Sequence, residues 1–289
     1  MEVSRNLKRR FCIYAILVLL CANYSAATTL VFLVTHSSII VGADSKVMAP
    51  KGNRIRRTSP SGINKAVIVR DLFVVAAGNL SSEDIFTKDH VSKVFSYDFA
   101  KWIVKVQEKL PKNLSIPVLT HVIESESGIT FKNFDKYIAG GALSGNYAPD
   151  PLIEYFIVGY ESGIPTINDV YFRIDRNKNH LEGPTVDPVY PNNKAGLSYN
   201  LHVACTRDVI VDLNAGKRET SEELGAMIPK ELPKLLSRQD LSLSEGINVC
   251  LAILRYEARH HKDFVAPPYT ITVVPPLGMG GITQATYSN

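Results

Sequence analysis

Two short segments of this chain are apolar at nearly every position. Thr29–Val34 reads TLVFLV and Ile39–Ala43 reads IIVGA, with the turn-like stretch Thr35–Ser38 between them. Successive side chains of a strand point to opposite faces of the sheet. A strand that is apolar at nearly every position therefore has two apolar faces, and both must be covered. The pattern therefore predicts a β-hairpin in a sheet that is covered on both sides.

The order of predicted elements along the chain is strands, helices, strands, helices and a final strand. Segregated blocks of this kind favour an α+β fold of packed layers over a parallel βαβ sheet. No linker divides residues 28–276, so we expect one domain there and a loose glycine-rich tail over 277–289. The remaining elements are a hairpin at Lys65–Val69 and Leu72–Ala77, helices from Ser81 or Ser82 to Leu110 and over 118–123, strands at 154–158, 170–174 and 201–205, a helix over 220–236, a capping-box helix opening at Ser242–Glu245, and a strand at Tyr269–Val274.

The N-terminal segment has the layout of a secretory signal peptide. Basic residues precede the apolar run Phe11–Ala22, and small residues follow at Ser25 and Ala27. The run is shorter than the ~20 residues that a transmembrane helix needs. We therefore expect residues 1–27 to be removed, and the protein to be secreted or periplasmic, with no membrane attachment afterwards. A cut after Ala26 is the alternative, but it puts Tyr24 where a small residue is preferred.

Charge and cysteine content exclude several classes of function. The net charge of +4 comes largely from the leader, which carries basic residues at positions 5, 8, 9 and 10. The remaining chain is nearly neutral, which gives no electrostatic basis for binding nucleic acid. Cys205 and Cys250 lack the spacing of a metal site, and no phosphate-cradling glycine loop is present, so we expect no metal and no cofactor. A disulfide between these two cysteines and two buried free thiols both remain open.

Cleavage after Ala27 would leave a threonine at the start of the exported chain. A free α-amine has a pKa of about 8, so part of it is neutral at pH 7 and can accept a proton. Thr28 would therefore carry its own base and could act as a nucleophile without a histidine.

The residues that follow resemble the opening of proteasome β-subunits and related N-terminal-nucleophile hydrolases. Asp44 follows Thr28 at the spacing of that family, within Ile40–Lys46. Asn64–Ile68 is similar to the strand that carries the family's lysine, and Val75–Gly78 to its apolar strand ending in glycine. The resemblance is good over residues 28–80 and looser over 150–275.

This resemblance implies a fold and a set of roles. The fold is a four-layer αββα sandwich, in which two antiparallel sheets are flanked by helices. The activity is a threonine peptidase or amidohydrolase acting on a peptide or small amide, in a chain that could form a homo-oligomer. The implied residues are Thr28 as nucleophile, Lys65 as the neighbouring cation, Asp44 to orient Lys65, the Gly78 backbone N–H as oxyanion donor, Asp263 as second aspartate, and Val47, Met48, Ala76 and Leu80 around the substrate.

The chain also departs from the family pattern. Ala266, Pro267 and Pro268 stand where a serine and two glycines are expected, and Ser198 is a weak counterpart of a supporting serine. An alternative is therefore a non-catalytic structural subunit that keeps the fold for assembly, and a third is an exported binding module. Asn79 lies in a glycosylation sequon, and a glycan beside Gly78 would favour the non-catalytic alternative.

Overall fold

The computed structural model describes residues 29–44, 66–78, 81–88, 91–132, 153–175, 180–190, 201–205, 208–237, 239–261 and 265–288. Among these residues, two five-stranded antiparallel sheets and a separate two-stranded hairpin are present. The strands, in chain order, are β1 (Thr29–Val34), β2 (Ile39–Asp44), β3 (Ala66–Val69), β4 (Leu72–Gly78), β5 (Ser81–Lys88), β6 (Val91–Asp98), β7 (Ile153–Glu161), β8 (Ile164–Asp175), β9 (His180–Tyr190), β10 (Leu201–Cys205), β11 (Tyr269–Val274) and β12 (Thr283–Tyr287).

Both predicted hairpins form, and each lies in a different sheet. The first sheet has the order β10-β1-β2-β11-β12, and the second has the order β3-β4-β7-β8-β9. β1 and β2 are buried at all of their positions, as their apolar sequences require. They therefore form the interior of the molecule rather than one side of it.

Helices cover the outer face of each sheet in the described part of the chain. They are α1 (Phe99–Glu108), α2 (Ile116–Phe131), α3 (Asp208–Asn214), α4 (Arg218–Met227), α5 (Glu231–Leu236) and α6 (Leu243–His260). The predicted capping box begins α6: the Ser242 backbone N–H donates to Glu245 Oε2 over 2.9 Å, and the Glu245 backbone N–H donates to Ser242 Oγ. Pro229 accounts for the division of the helix predicted over 220–236, because it lies between the end of α4 at Met227 and the start of α5 at Glu231.

Three apolar clusters define four layers. One cluster lies between the two sheets and includes Phe32 and Phe156, whose ring centroids are 4.7 Å apart. A second joins the outer face of the second sheet to α1 and α2, and a third joins the outer face of the first sheet to α3–α6. The layer order is therefore helices, sheet, sheet, helices, and the expected αββα sandwich is confirmed.

The predicted start of the first helix, at Ser81 or Ser82, is wrong. Residues Ser81–Lys88 and Val91–Asp98 pair as an antiparallel hairpin, and α1 begins only at Phe99. The side chain of Asp98 accepts the N–H of Lys101 over 3.2 Å and so caps that helix. The helical spacing of apolar residues holds from Phe99 onward, whereas the preceding residues have the composition and short connection of a hairpin.

The prediction of a loose tail after residue 276 is also wrong. Thr283–Tyr287 pairs with β11 over its whole length, from Val273↔Thr283 to Tyr269↔Tyr287. The glycine-rich stretch is the hairpin connection, where Gly278 and Gly280 take positive φ angles of 82° and 130°. Glycine tolerates these angles at little cost, so its enrichment here indicates a turn rather than disorder.

Candidate active site

A buried hydrogen bond joins the ends of β1 and β2. The backbone N–H of Thr29 donates to Oδ1 of Asp44 over 3.0 Å. Asp44 is 3 % exposed and Thr29 is 0 % exposed. The β1–β2 register, in which Leu30 lies opposite Ala43, brings the two residues to the same end of the sheet. A buried carboxylate needs such donors to offset the loss of its water, so Asp44 is held by the backbone of the strand beside it.

The direction of the Asp44 side chain follows from the strand. A Cβ added at Gly42 would lie 3.1 Å from Leu254 Cδ1 and 3.4 Å from Cys250 Cβ. The face of β2 to which Gly42 belongs is therefore the face that packs against α6. Alternation places Asp44 on that same face, and Tyr269, its direct partner on β11, belongs to the cluster beneath α6. Asp44 therefore lies on the helix side of the first sheet, at the carboxyl end of β2.

Two arginines near the end of α6, Arg255 and Arg259, act electrostatically on Tyr269, the strand partner of Asp44. Burial raises the pKa of the Tyr269 phenol, Arg255 and Arg259 oppose that rise, and Asp44 adds to it. Negative and positive charge therefore act on one buried phenol from the strand and from the helix. Arg259 also donates to Oε1 of Glu223 over 3.1 Å, which ties it to α4.

Of the residues expected at the site, three lie in the described part of the chain. Asp44 is placed as above, and Gly78 is the last residue of β4, paired with Ile153 of β7. Ala76 is fully buried in the cluster between the second sheet and helices α1 and α2. The other expected residues lie outside the described residues: Thr28, Val47, Met48, Lys65, Leu80 and Asp263.

The ends of β2 and β4 border the same apolar cluster. Ala43 precedes Asp44 and Ala77 precedes Gly78, and both alanines belong to the cluster between the sheets. The two strands come from different sheets. The Asp44 side chain, however, lies on the face of the first sheet opposite this cluster, so sharing the cluster does not by itself bring the carboxylate to the Gly78 backbone. Sequence reasoning named Asp44 and Gly78, but it missed Thr29, Tyr269 and Arg255, because strand register and helix contacts carry no local signal.

Cys250 is a buried free thiol on α6. Burial raises the pKa of this thiol, which makes it a packing residue rather than a reactive one. Because its thiol is free, Cys250 is not part of a disulfide. Among the described residues, no group of three or more histidine, cysteine, aspartate or glutamate side chains could hold a metal ion.

Within the described ranges, no helix combines the length and the apolarity that crossing a bilayer requires.

Comparisons with known proteins give a distant structural likeness. No protein-family model and no curated protein matches the chain. Among solved structures, the Anbu (Gly-1) mutant from Hyphomicrobium sp. strain MC1, a protein of proteasome-related fold, is similar with a TM-score of 0.48 and 11 % sequence identity. The likeness covers 90 % of this chain and 87 % of that one. The αββα architecture of the present chain rests on its own sheets and clusters.

Proposed function

We propose that this protein is an exported threonine hydrolase that cleaves an amide bond in a peptide or small amide. The observation that carries the proposal is the hydrogen bond from the Thr29 N–H to the buried Asp44. That nitrogen belongs to the peptide that joins Thr29 to Thr28, so the bond anchors the chain one residue from the proposed nucleophile. A fixed nucleophile is what oriented attack requires.

The chemistry follows from a threonine at the start of the exported chain. The Thr28 hydroxyl gives its proton to the α-amine while its oxygen bonds to the substrate carbonyl carbon. The amine then passes that proton to the departing nitrogen as the amide C–N bond breaks, leaving an ester on Thr28. Water, deprotonated by the same amine, cleaves the ester and restores the hydroxyl.

Three further residues have roles in this scheme. Lys65 supplies a positive charge that favours deprotonation of the Thr28 hydroxyl and amine. Asp44 keeps the first strand in place and complements the charge of Lys65. The N–H of Gly78, at the end of β4, would donate to the oxyanion, a contribution of roughly 3–4 kcal/mol in comparable sites.

The direct test is the N-terminus of the exported protein, followed by labelling. The intact mass of protein recovered outside the cytoplasm should correspond to a chain that begins at Thr28. An electrophile that reacts with N-terminal threonine should label it, and Thr28→Ala should abolish both labelling and turnover. Thr283→Ala, at an exposed threonine of β12, is the matched control and should label fully.

Two outcomes would count against this function. A chain that retains its leader, or that begins at another residue, has no amine on Thr28 to act as the base. A chain that begins at Thr28 but resists labelling supports the alternative of a non-catalytic structural subunit.

A further inference from the structure

The outer edge of β12 is open in the described part of the chain. β12 is the last strand of the first sheet, and no described strand pairs with its outer side. Four of its five residues are exposed, and only Tyr287 is half-buried. An edge strand in this position presents backbone N–H and C=O groups that another strand can bond.

β12 also lacks the usual features that protect an edge. Its sequence, TQATY, contains no charged residue and no proline. Its register with β11 runs without interruption, so no bulge twists it away. Charged residues, prolines and bulges are the features by which natural sheets prevent edge-to-edge pairing.

One of the two edge strands of the second sheet, β9, shows the contrast, because it carries all of these features. Pro184 and Pro188 interrupt its hydrogen-bonding groups, and Glu182 and Asp187 add negative charge. Its pairing with β8 contains two register shifts. The same chain therefore protects the β9 edge against pairing and leaves the β12 edge competent to pair.

We propose that β12 pairs antiparallel with β12 of a second copy of this chain, across a twofold axis near Ala285. This pairing sets Ala285 against itself and Thr283 against Tyr287, so no like charges are opposed. The contact is isologous, which is the commonest arrangement of soluble dimers. The inference is independent of the proposed hydrolase chemistry.

The hairpin connection explains why the occupant is a second copy. It carries Leu277 and Met279, which are 63 % and 78 % exposed. Antiparallel pairing carries this connection past the Tyr287 end of the other copy, toward that copy's surface. The Leu277 and Met279 side chains, which are exposed to water in a single copy, would then be buried against the second copy. An unrelated extended peptide bound to the edge would leave both side chains exposed.

The first experiment measures self-association of the purified full chain. Sedimentation equilibrium at micromolar concentrations should show a monomer–dimer equilibrium. Ala285→Lys places two positive charges at the twofold axis and should raise the dissociation constant at least about tenfold. Val186→Lys makes the same charge change at a half-exposed position on β9 and should leave the dissociation constant unchanged.

The second experiment locates the axis. Residues directly opposite across strands have Cβ atoms ~4.5–5.5 Å apart, close enough for a disulfide after small adjustment. Ala285→Cys should therefore form an SDS-stable dimer on mild oxidation, and Val186→Cys should not. A wild-type chain that stays monomeric, an Ala285→Lys chain that associates like wild type, or an Ala285→Cys chain that does not cross-link would each overturn the proposal. The cysteine variant also carries the test if Ala285→Lys does not fold.

Discussion

Thr29 and Asp44 are joined across β1 and β2 by a hydrogen bond of 3.0 Å from a backbone N–H to a carboxylate oxygen. Both residues are buried, so the bond is shielded from water, and it fixes the start of the first described strand. This hydrogen bond holds Asp44 in the candidate site and also stabilises the fold. Unfolding measurements on Asp44 variants isolate the contribution to stability.

Asp44→Ala should lower the free energy of unfolding by about 1–3 kcal/mol, because it leaves the Thr29 N–H buried without this acceptor. Asp44→Asn keeps an oxygen that can accept the bond and should cost less. Urea unfolding measures both. Asp240→Ala removes an exposed carboxylate and should change the free energy of unfolding by no more than about 0.5 kcal/mol. Equal losses in Asp44→Ala and Asp240→Ala would show that the Thr29 bond contributes nothing.

Gly246→Ala should destabilise the protein by about 1–3 kcal/mol through overpacking. A Cβ at Gly246 would lie 2.5 Å from Ile40 Cδ1 and 3.2 Å from Leu33 Cδ2, both in the buried first sheet. Gly225→Ala on α4 is the control, since its nearest contact would be an ordinary 3.6 Å to Leu232 Cδ2. There the better helix propensity of alanine should stabilise by up to ~1 kcal/mol. Thermal unfolding of both variants should show shifts of opposite sign.

Stability should fall as the pH rises above about 10, the ordinary pKa of tyrosine. The hydroxyls of Tyr97 and Tyr155 are 2.6 Å apart and buried. Burial, chiefly, raises the pKa of both phenols. The unfolded chain then loses protons that the folded chain retains, so stabilisation that is complete below this pH is lost progressively above it.

The unfolding free energy of wild type, measured from about pH 8 to about pH 11, should decline by up to ~1.4 kcal/mol per pH unit for each such tyrosine. The double variant Tyr97→Phe, Tyr155→Phe should decline less steeply. Identical slopes would show that these phenols do not titrate differently in the two states.

Glu245 should contribute stability at neutral pH that is lost in acid. Its hydrogen bond from Lys234, at 2.5 Å, and those from Ser242 lower the pKa of this carboxyl to about 2. A carboxyl with a depressed pKa stabilises the fold above its ordinary value, and the effect disappears as the pH falls toward the lowered one. The difference in unfolding free energy between wild type and Glu245→Gln should therefore shrink from about pH 5 to about pH 2. A difference that does not change with pH would assign the effect to capping geometry alone.

Local sequence patterns predicted the two hairpins, the capping box at Ser242 and the layered α+β architecture. They did not predict that Tyr269 lies beside Asp44, because the pairing of β11 with β2 joins residues far apart in the chain and depends on how α6 packs. The hairpin of β11 and β12 was missed for a different reason: composition cannot distinguish a glycine-rich turn from a glycine-rich tail. The roles of Thr28 and Lys65 remain predictions, since both residues lie outside the described residues.

The glycines between α6 and the first sheet have a mechanical consequence. Gly246 on the helix and Gly42 on β2 leave no spare volume, since an added Cβ would meet neighbours at 2.5 Å and 3.1 Å. A helix seated this closely can neither slide nor roll over its strands without steric overlap. We therefore expect α6 and β2 to move together, so that any breathing motion that admits a guest molecule beside Asp44 hinges elsewhere in the chain.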